Sequence, residues 1–330
     1  MMSLKALGLA ATLAISGLFT TTALADPLKV VLLVPGHTND GSFNQVAREA
    51  TEKLQKEGDI KLEIRESMAD PSKSEPVIRQ YASMGYDLII GHGIELSEPI
   101  LKIAKDFPKV HFAASGGPDL AGRLLPNVDG WTYDFGQQGY LGGFIAGKMA
   151  GVGTVGMVGG PQLAFVKASH NGFKQGLKEG NPDAKVIETY TGSFDDAQKA
   201  AEVTRGMIAQ GARLVWTSGD GIGNGVAAAA AQDDALTIGV TGEAGGNAAK
   251  VNIVSVVLDM YPTYKTYIDD IKAGAFGKKF LVSGIGNKGL IMTPVNAAAD
   301  AKLPDDLAKQ VDGLVADLAS GKLQLPNFFQ

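Results

Sequence analysis

Cysteine is absent from all 330 residues of this chain, and histidine occurs only four times. The absence of cysteine excludes disulfides, thiolate metal sites, a cysteine nucleophile and a lipid-modified cysteine at a processing site. Four scattered histidines disfavour a zinc site. Lysine and arginine number 30 against 35 acidic residues, and the resulting net charge of −5 argues against a nucleic-acid partner.

Long apolar runs are also scarce. The clearest run, residues 6–19, is shorter than a membrane span. Lys5 precedes it and Ala23-Leu24-Ala25 follows it, which is the three-part pattern of a cleavable export signal. We therefore expect residues 1–25 to be a signal peptide, and residues 26–330 to be a soluble mature protein in the periplasm.

Strand-like runs rich in valine, isoleucine and leucine alternate with helical patterns along most of the chain. This alternation is typical of α/β proteins in which helices flank parallel sheets. The pattern restarts after about residue 133, which favours two doubly wound lobes. We predict strands at 29–34, 61–65, 88–91, 110–115 and 128–133, then at 154–158, 185–190, 214–218, 236–240 and 252–257, and a hairpin-like segment at 280–292.

No low-complexity linker separates the two series of elements. We therefore expect strands that cross between the lobes rather than a flexible tether. The expected division places residues 26–131 and 258–288 in lobe 1, and residues 132–257 and 289–330 in lobe 2.

A cluster of polar residues with one aromatic residue follows the first predicted strand. Where a strand leads into a helix, backbone N–H groups and short polar side chains face a crevice. Phe43 in this segment is suited to stack on a flat ligand. Taken singly, the polar residues could cap the helix and Phe43 could anchor it to the core. The candidates for ligand contact are Asn39, Asp40, Ser42, Phe43 and Asn44.

Polar and aromatic residues recur after the other predicted strands. Open α/β sheets bind ligands at the carboxyl ends of their strands, so these residues are candidates to line one cleft between two lobes. They are His92, Glu95, Ser115, Trp131, Tyr133 and Asp134 in the first series, and Trp216, Ser218, Asp220, Thr241, Glu243 and Asp259 in the second. The structural alternatives are a turn role for His92, a helix start for Glu95, a core position for either tryptophan, turn chemistry for Asp220 and a helix cap for Asp259.

The glycine-rich segments do not indicate a nucleotide-dependent enzyme. Residues 151–156 have the spacing of a dinucleotide fingerprint, but they follow a helix and lead into a strand, which reverses the required order. Residues 219–225 follow a strand but lack the final glycine and the lysine of a phosphate loop. No Gly-x-Ser-x-Gly elbow or nucleophile with a nearby base is apparent in the sequence. The sequence therefore offers little support for an enzyme, and we expect no cofactor and no metal.

Three segments carry a resemblance to a known family. Residues 39–45, Asn-Asp-Gly-Ser-Phe-Asn-Gln, resemble an element of the basic membrane protein family of substrate-binding proteins, which includes purine nucleoside receptors of ABC importers. Residues 140–147 and 171–176 are similar to two helical motifs of that family. The resemblance implies a type I periplasmic-binding fold with three crossovers, an ABC permease as partner, and a purine held between aromatic rings that include Phe43. Mostly on this resemblance, we expect a binding protein and not an enzyme. We also expect a monomer.

The chain departs from the nucleoside-binding members of that family at three positions. Val34 stands where those members carry an aspartate that meets the base, and Thr241 and Leu258 or Asp259 stand where an aspartate and a lysine hold the ribose. The departures favour a free purine base or another small planar polar ligand, with His92, Asp134 and Glu243 as candidate hydrogen-bonding replacements. The alternatives are a receptor for a membrane sensor and, less favoured, a hydrolase or isomerase on a similar scaffold.

Overall fold

The computed structural model describes residues 26–149, 153–219, 221–242, 248–296 and 304–329. The strands are β1 (Leu28–Leu33), β2 (Ile60–Arg65), β3 (Leu88–Gly91), β4 (His111–Ser115), β5 (Val128–Tyr133), β6 (Thr154–Gly159), β7 (Lys185–Tyr190), β8 (Leu214–Ser218), β9 (Leu236–Thr241), β10 (Asn252–Leu258), β11 (Phe280–Ser283) and β12 (Leu290–Met292). The α-helices are α1 (Phe43–Lys56), α2 (Pro71–Ser83), α3 (Ser97–Ala104), α4 (Phe135–Lys148), α5 (Ala164–Gly180), α6 (Ala197–Ala209), α7 (Gly221–Gln232), α8 (Tyr261–Ala273) and α9 (Leu307–Ala319). None of the helices in these ranges is both long and apolar enough to cross a bilayer.

Within the described residues, the strands form two six-stranded sheets. The first has the order β11-β5-β4-β3-β1-β2, and all of its neighbouring strands are parallel. The second has the order β12-β10-β9-β8-β6-β7 and is parallel except for β12, which runs antiparallel to β10. The predicted hairpin at 280–292 is wrong, because β11 and β12 join different sheets. The prediction of two parallel-sheet α/β lobes is confirmed.

Strand β1 shows why the first sheet is covered on both faces. Val30 and Leu32 belong to the apolar cluster beneath α1, whereas Val31 and Leu33 belong to the cluster beneath α2 and α3. All four side chains are completely buried. A strand that buries successive residues on opposite faces needs an unbroken apolar sequence, and β1 has one.

The chain passes between the two lobes three times, from β5 to α4, from β10 to α8 and from β11 to β12. The crossings are packed rather than loose. Val256 and Leu290 of the second sheet share one buried cluster with Val30 and Trp131 of the first. The carboxyl ends of both sets of strands are therefore held close to the same boundary.

Helices α4 and α5 pack with their backbones in direct contact. A Cβ at Gly139 would overlap the carbonyl oxygen of Ser169, and a Cβ at Gly143 would overlap that of Phe173. Only glycine allows backbones to approach this closely. The contact fixes the starts of both helices, which lie at the boundary between the lobes.

Candidate ligand-binding site

A cavity of about 190 Å³ lies between the two lobes. The first lobe lines it with residues at or after the ends of β1, β3, β4 and β5, and the second with residues at or after the ends of β7, β8 and β9. The starts of α1, α4 and α5 complete the lining. Pockets for drug-sized ligands occupy roughly 300–1,000 Å³, so this cavity is suited to a smaller molecule.

Aromatic rings from both lobes line the cavity. Phe43 and Trp131 of the first lobe have ring centroids 6.3 Å apart and planes inclined by 24°. Phe165 and Phe194 of the second lobe have centroids 6.1 Å apart and planes inclined by 13°. All four residues contribute to the lining, but Trp131 is almost completely buried, so the three partly exposed phenylalanines are the rings that a flat ligand can reach from either lobe.

His92 supports Phe43 from behind rather than lining the cavity. Its ring stacks on Phe43 with centroids 3.9 Å apart, and it is completely buried. His92 Nε2 lies 2.9 Å from the carbonyl oxygen of Phe43, and Nδ1 lies 2.8 Å from the hydroxyl of Tyr264. Because a carbonyl can only accept, Nε2 carries the hydrogen and Nδ1 accepts from Tyr264. Burial lowers the pKa of His92 to about 3, so the ring is neutral at physiological pH.

Three buried polar atoms belong to residues that line the cavity: Asn44 Oδ1, Trp131 Nε1 and Gln138 Nε2. Within the part of the chain that the structure describes, none of these atoms has a hydrogen-bond partner. Leaving a buried polar group unpaired costs about 1–3 kcal/mol. The residues beside the cavity therefore include one acceptor and two donors that are unpaired among the described residues.

Asp40 fixes the orientation of the Asn44 amide. Its carboxylate accepts the backbone N–H groups of Ser42, Asn44 and Gln45 at 2.9 to 3.0 Å, and the side-chain Nδ2 of Asn44 at 2.7 Å. Because the carboxylate takes the amino group of Asn44, the amide oxygen is the atom left to serve as an acceptor. Asp40 thus acts as an anchor for the start of α1.

The charged residues of the cavity lining are both acidic. Glu95 follows β3 and Asp195 follows β7, so one carboxylate comes from each lobe, and both side chains are exposed. Among the described lining residues there is no lysine, arginine or histidine. Anionic ligands are usually held by such cations, so the lining favours a neutral or cationic ligand.

Ser218 ends β8 at the cavity and is linked to two further residues of the second lobe. His170 Nε2 lies 2.7 Å from Ser218 Oγ, and His170 Nδ1 lies 2.7 Å from Glu188 Oε1. The hydrogen bond from His170, with further bonds from Lys174 and Tyr190, lowers the pKa of Glu188 to about 2. The sequence did not reveal this serine, histidine and carboxylate arrangement, because 18 to 48 residues separate its members.

The predicted site residues lie in several different places. The candidates that line the cavity are Phe43, Asn44, Glu95, Ser115, Trp131, Tyr133, Ser218 and Thr241. Asn39, Asp40, Ser42 and Asp259 line a wider hollow of about 770 Å³ between α1 and the second sheet. His92, Asp134 and Trp216 lie outside both linings, while Asp220 and Glu243 fall outside the described residues.

In the structure, the side chains of His92, Asp134 and Trp216 contact other protein groups rather than lining the cavity. His92 has both ring nitrogens bonded to protein groups. The carboxylate of Asp134 caps α4 by accepting the N–H of Gln137 at 2.9 Å, and burial raises its pKa. Trp216 is completely buried beside α4 and α5, with its ring centroid 5.0 Å from that of Phe173.

The remaining acidic candidate, Asp259, accepts the N–H of Tyr261 at 2.9 Å, as expected of a residue at a helix start. Sequence reasoning did not single out Gln138, Phe165 or Phe194, which line the cavity. The two phenylalanines follow the ends of β6 and β7, so the rule that pointed to the other strand ends could have found them. Gln138 is a buried amide in a helix made mostly of apolar residues and glycines, which is itself a signal.

Comparison with known proteins identifies relatives over nearly the whole chain. Residues 28–313 match the profile of the family described as Bmp, ABC transporter substrate-binding protein PnrA-like. The chain is 26% identical over 305 residues to basic membrane protein A1 of Borrelia garinii subsp. bavariensis, covering 90% of this chain and 88% of the relative. It is 26% identical over 304 residues to a purine-binding protein of Brucella abortus (strain 2308), and the match covers 90% of this chain and 83% of that relative.

Solved structures agree with this assignment. A structure from Conexibacter woesei DSM 14684, described as an ABC transporter system solute-binding protein, is 52% identical with a TM-score of 0.81, and the match covers 92% of this chain and 100% of that one. A periplasmic solute-binding protein of Actinobacillus succinogenes with bound D-allose shares the fold. It is 16% identical with a TM-score of 0.63, and the match covers 80% of this chain and 96% of that one. The chain therefore belongs to the Bmp family of PnrA-like ABC transporter substrate-binding proteins and has the type I periplasmic-binding fold.

Proposed function

We propose that this protein binds a free purine base, or a flat polar molecule of similar size, in the interlobe cavity. The observation that carries the proposal is that Asn44, Trp131 and Gln138 line a cavity that also has aromatic rings in its lining, and that each carries a buried polar side-chain atom without a partner among the described residues. A purine base has flat faces for the rings, carbonyl or ring-nitrogen acceptors for the two donors, and N–H groups for the acceptor.

Three properties of the cavity favour a base over a nucleoside or a nucleotide. Its volume of about 190 Å³ is small, its described lining has no basic side chain for a phosphate, and Thr241 stands where a sugar-binding carboxylate is expected. The Brucella abortus relative is described as purine-binding, which supports the ligand class. Nucleosides and sugars are accordingly expected to bind more weakly than bases.

We further propose that the ligand is delivered to an ABC permease in the inner membrane, in keeping with the family. A ligand that bonds to Asn44 and Trp131 on one lobe and to Gln138 on the other stabilises the closed arrangement of the lobes. The permease can then distinguish the closed form from the open form. A membrane sensor could read the same change, and loss of purine uptake in a deletion strain would favour transport.

Isothermal titration calorimetry tests the ligand class. The protein is unfolded, dialysed to remove bound ligand, refolded, and titrated with adenine, guanine, hypoxanthine and xanthine, and then with adenosine, guanosine, inosine and ribose. We expect at least one base to bind more tightly than every nucleoside. Tighter binding of a nucleoside than of any base would contradict the proposal, as would binding of ribose alone.

Two tryptophan variants provide a matched pair for locating the site. Trp131→Phe removes a donor at the cavity and is expected to weaken base binding by about tenfold, because one ligand acceptor loses its partner. Trp216→Phe alters a buried ring in the apolar core of the second lobe, and it is expected to change the dissociation constant for the base less than twofold. Equal losses in the two variants would show that the ligand does not lie beside Trp131.

A further inference from the structure

Ser218 presents a single hydroxyl at the cavity, and the two residues behind it determine what that hydroxyl can do. The side chain of His170 is almost entirely buried, and it bridges Ser218 Oγ and Glu188 Oε1 with contacts of 2.7 Å on each side. Glu188 is held in turn by Lys174 Nζ at 2.6 Å and by the hydroxyl of Tyr190 at 2.9 Å. The ring of Tyr190 stacks on that of His170 with centroids 5.0 Å apart. These contacts leave His170 little freedom to turn.

When the His170 ring is neutral, the chemistry of these groups fixes the position of each hydrogen. An ionised carboxylate can only accept hydrogen bonds, so His170 Nδ1 must be the protonated nitrogen. In the neutral imidazole, Nε2 is then an acceptor, and the hydroxyl hydrogen of Ser218 points to it. The hydrogen of Ser218 is thereby used inside the lobe, and only the lone pairs of Oγ remain for the cavity.

We propose that Ser218 is an obligatory hydrogen-bond acceptor for the ligand and selects a molecule with an N–H group at that edge, while His170 and Glu188 are the positioning residues that set this polarity. The inference rests on the proposed function and deepens it, because it specifies one edge of the ligand. Together with Asn44 Oδ1, it places acceptors on both lobes, and Trp131 and Gln138 add donors. The matching ligand carries N–H donors as well as carbonyl or ring-nitrogen acceptors.

The same three residue types in this order also occur in acyl-transfer enzymes, where the serine is a nucleophile. The two roles make opposite predictions for turnover. A fixed acceptor performs no chemistry, so we expect the purified protein to hydrolyse p-nitrophenyl acetate no faster than its Ser218→Ala variant. Hydrolysis that depends on Ser218 would overturn the assignment.

The Glu188→Gln variant tests the positioning role. The glutamine amide can donate to His170 Nδ1, which moves the ring hydrogen to Nε2, so that Ser218 accepts from His170 and turns its own hydrogen toward the cavity. The ¹⁵N resonances of the His170 ring at pH 8 report which nitrogen carries the hydrogen, with or without ligand. We expect Nδ1–H in the wild type and Nε2–H in Glu188→Gln. An Nε2–H tautomer in the wild type would overturn the proposal.

Binding measurements test the effect on selectivity. The probe is whichever of adenine, guanine, hypoxanthine and xanthine binds the wild type most tightly. We expect Glu188→Gln to weaken this binding by about tenfold when Ser218 is present, and by less than twofold in the Ser218→Ala background. Lys178→Met is the matched control, since it removes an exposed lysine near the end of the same helix, α5, and its effect should stay below twofold.

The outcomes separate the two proposals. If no base binds the wild type, the proposed function fails, whatever the tautomer of His170 is. If a base binds and Glu188→Gln weakens binding equally with serine or alanine at position 218, the function stands and the role of Ser218 is wrong. Thermal unfolding of each variant ensures that only folded proteins are compared.

Discussion

The buried imidazole of His92 predicts a specific dependence of stability on pH. In the folded protein the pKa of His92 is about 3, against an ordinary value of 6.5. As the pH falls below 6.5, the unfolded chain binds a proton that the folded protein cannot accept, so stability is lost. Between pH 7 and pH 5 this linkage removes about 2 kcal/mol from the free energy of unfolding.

The pH window isolates this histidine from the strongly shifted carboxylates. Glu66 and Glu188 have pKa values of about 2, lowered from 4.5, so their contributions are lost only as the pH falls below about 4.5. The variant His92→Gln removes the titrating ring, while its amide can still donate to the carbonyl of Phe43 and accept from Tyr264. Between pH 7 and pH 5, the free energy of unfolding of the wild type should therefore fall by about 2 kcal/mol relative to that of the variant.

Urea unfolding at pH 7, 6, 5.5 and 5, followed by far-ultraviolet circular dichroism, measures this difference. Gly206→Ala is the control, because it changes no titratable group and its Cβ would meet open space, so its profile should run parallel to that of the wild type. Parallel profiles for wild type and His92→Gln would refute the reasoning, since they would mean that His92 takes up its proton equally in the folded and unfolded chains.

Two further predictions concern packing and the anchor of α1. Gly143→Ala should lower the free energy of unfolding by about 3 kcal/mol in urea titrations, because its Cβ would overlap the backbone of α5. The control is Gly206→Ala, where the Cβ would meet open space, and it should raise the free energy of unfolding by about 0.5–1 kcal/mol. Asp40→Asn should weaken base binding by about tenfold in calorimetry, because the amide of Asn44 loses the carboxylate that orients it. Unchanged affinity in Asp40→Asn would mean that Asn44 does not contact the ligand.

The sequence predicted the strands well, because each one is a local run of apolar residues with a clear end. Strands β3, β5, β7 and β8 have the predicted bounds. The sequence did not predict that β11 and β12 separate into different sheets. Strand partners are chosen by contacts between distant parts of the chain, and a short apolar segment carries no local mark of its partner.

The same distinction applies to the site. The expectation that ligands bind at the carboxyl ends of the strands pointed to Phe43, Asn44 and Trp131. It could not distinguish Trp131 from Trp216, because each tryptophan lies two residues before the end of its strand. What separates them is packing. A Cβ at Gly142 of α4 would overlap the ring of Trp216, so the glycine leaves the space that this ring fills in the core. That relation exists only once α4 lies on the second sheet.

Under the proposed function, the division of polar groups between the lobes links ligand binding to closure of the lobes. Asn44 and Trp131 lie on elements of the first lobe, whereas Gln138 and Ser218 lie on elements of the second. A ligand bound to one lobe alone leaves the partners on the other lobe unsatisfied, at about 1–3 kcal/mol for each buried group. A ligand with hydrogen-bonding partners for both lobes avoids these costs only in the closed arrangement. The more of these polar groups the ligand pairs with, the more strongly it favours the closed arrangement. Selectivity and closure therefore depend on the same hydrogen bonds, and a molecule that matches one lobe only would bind without closing the protein.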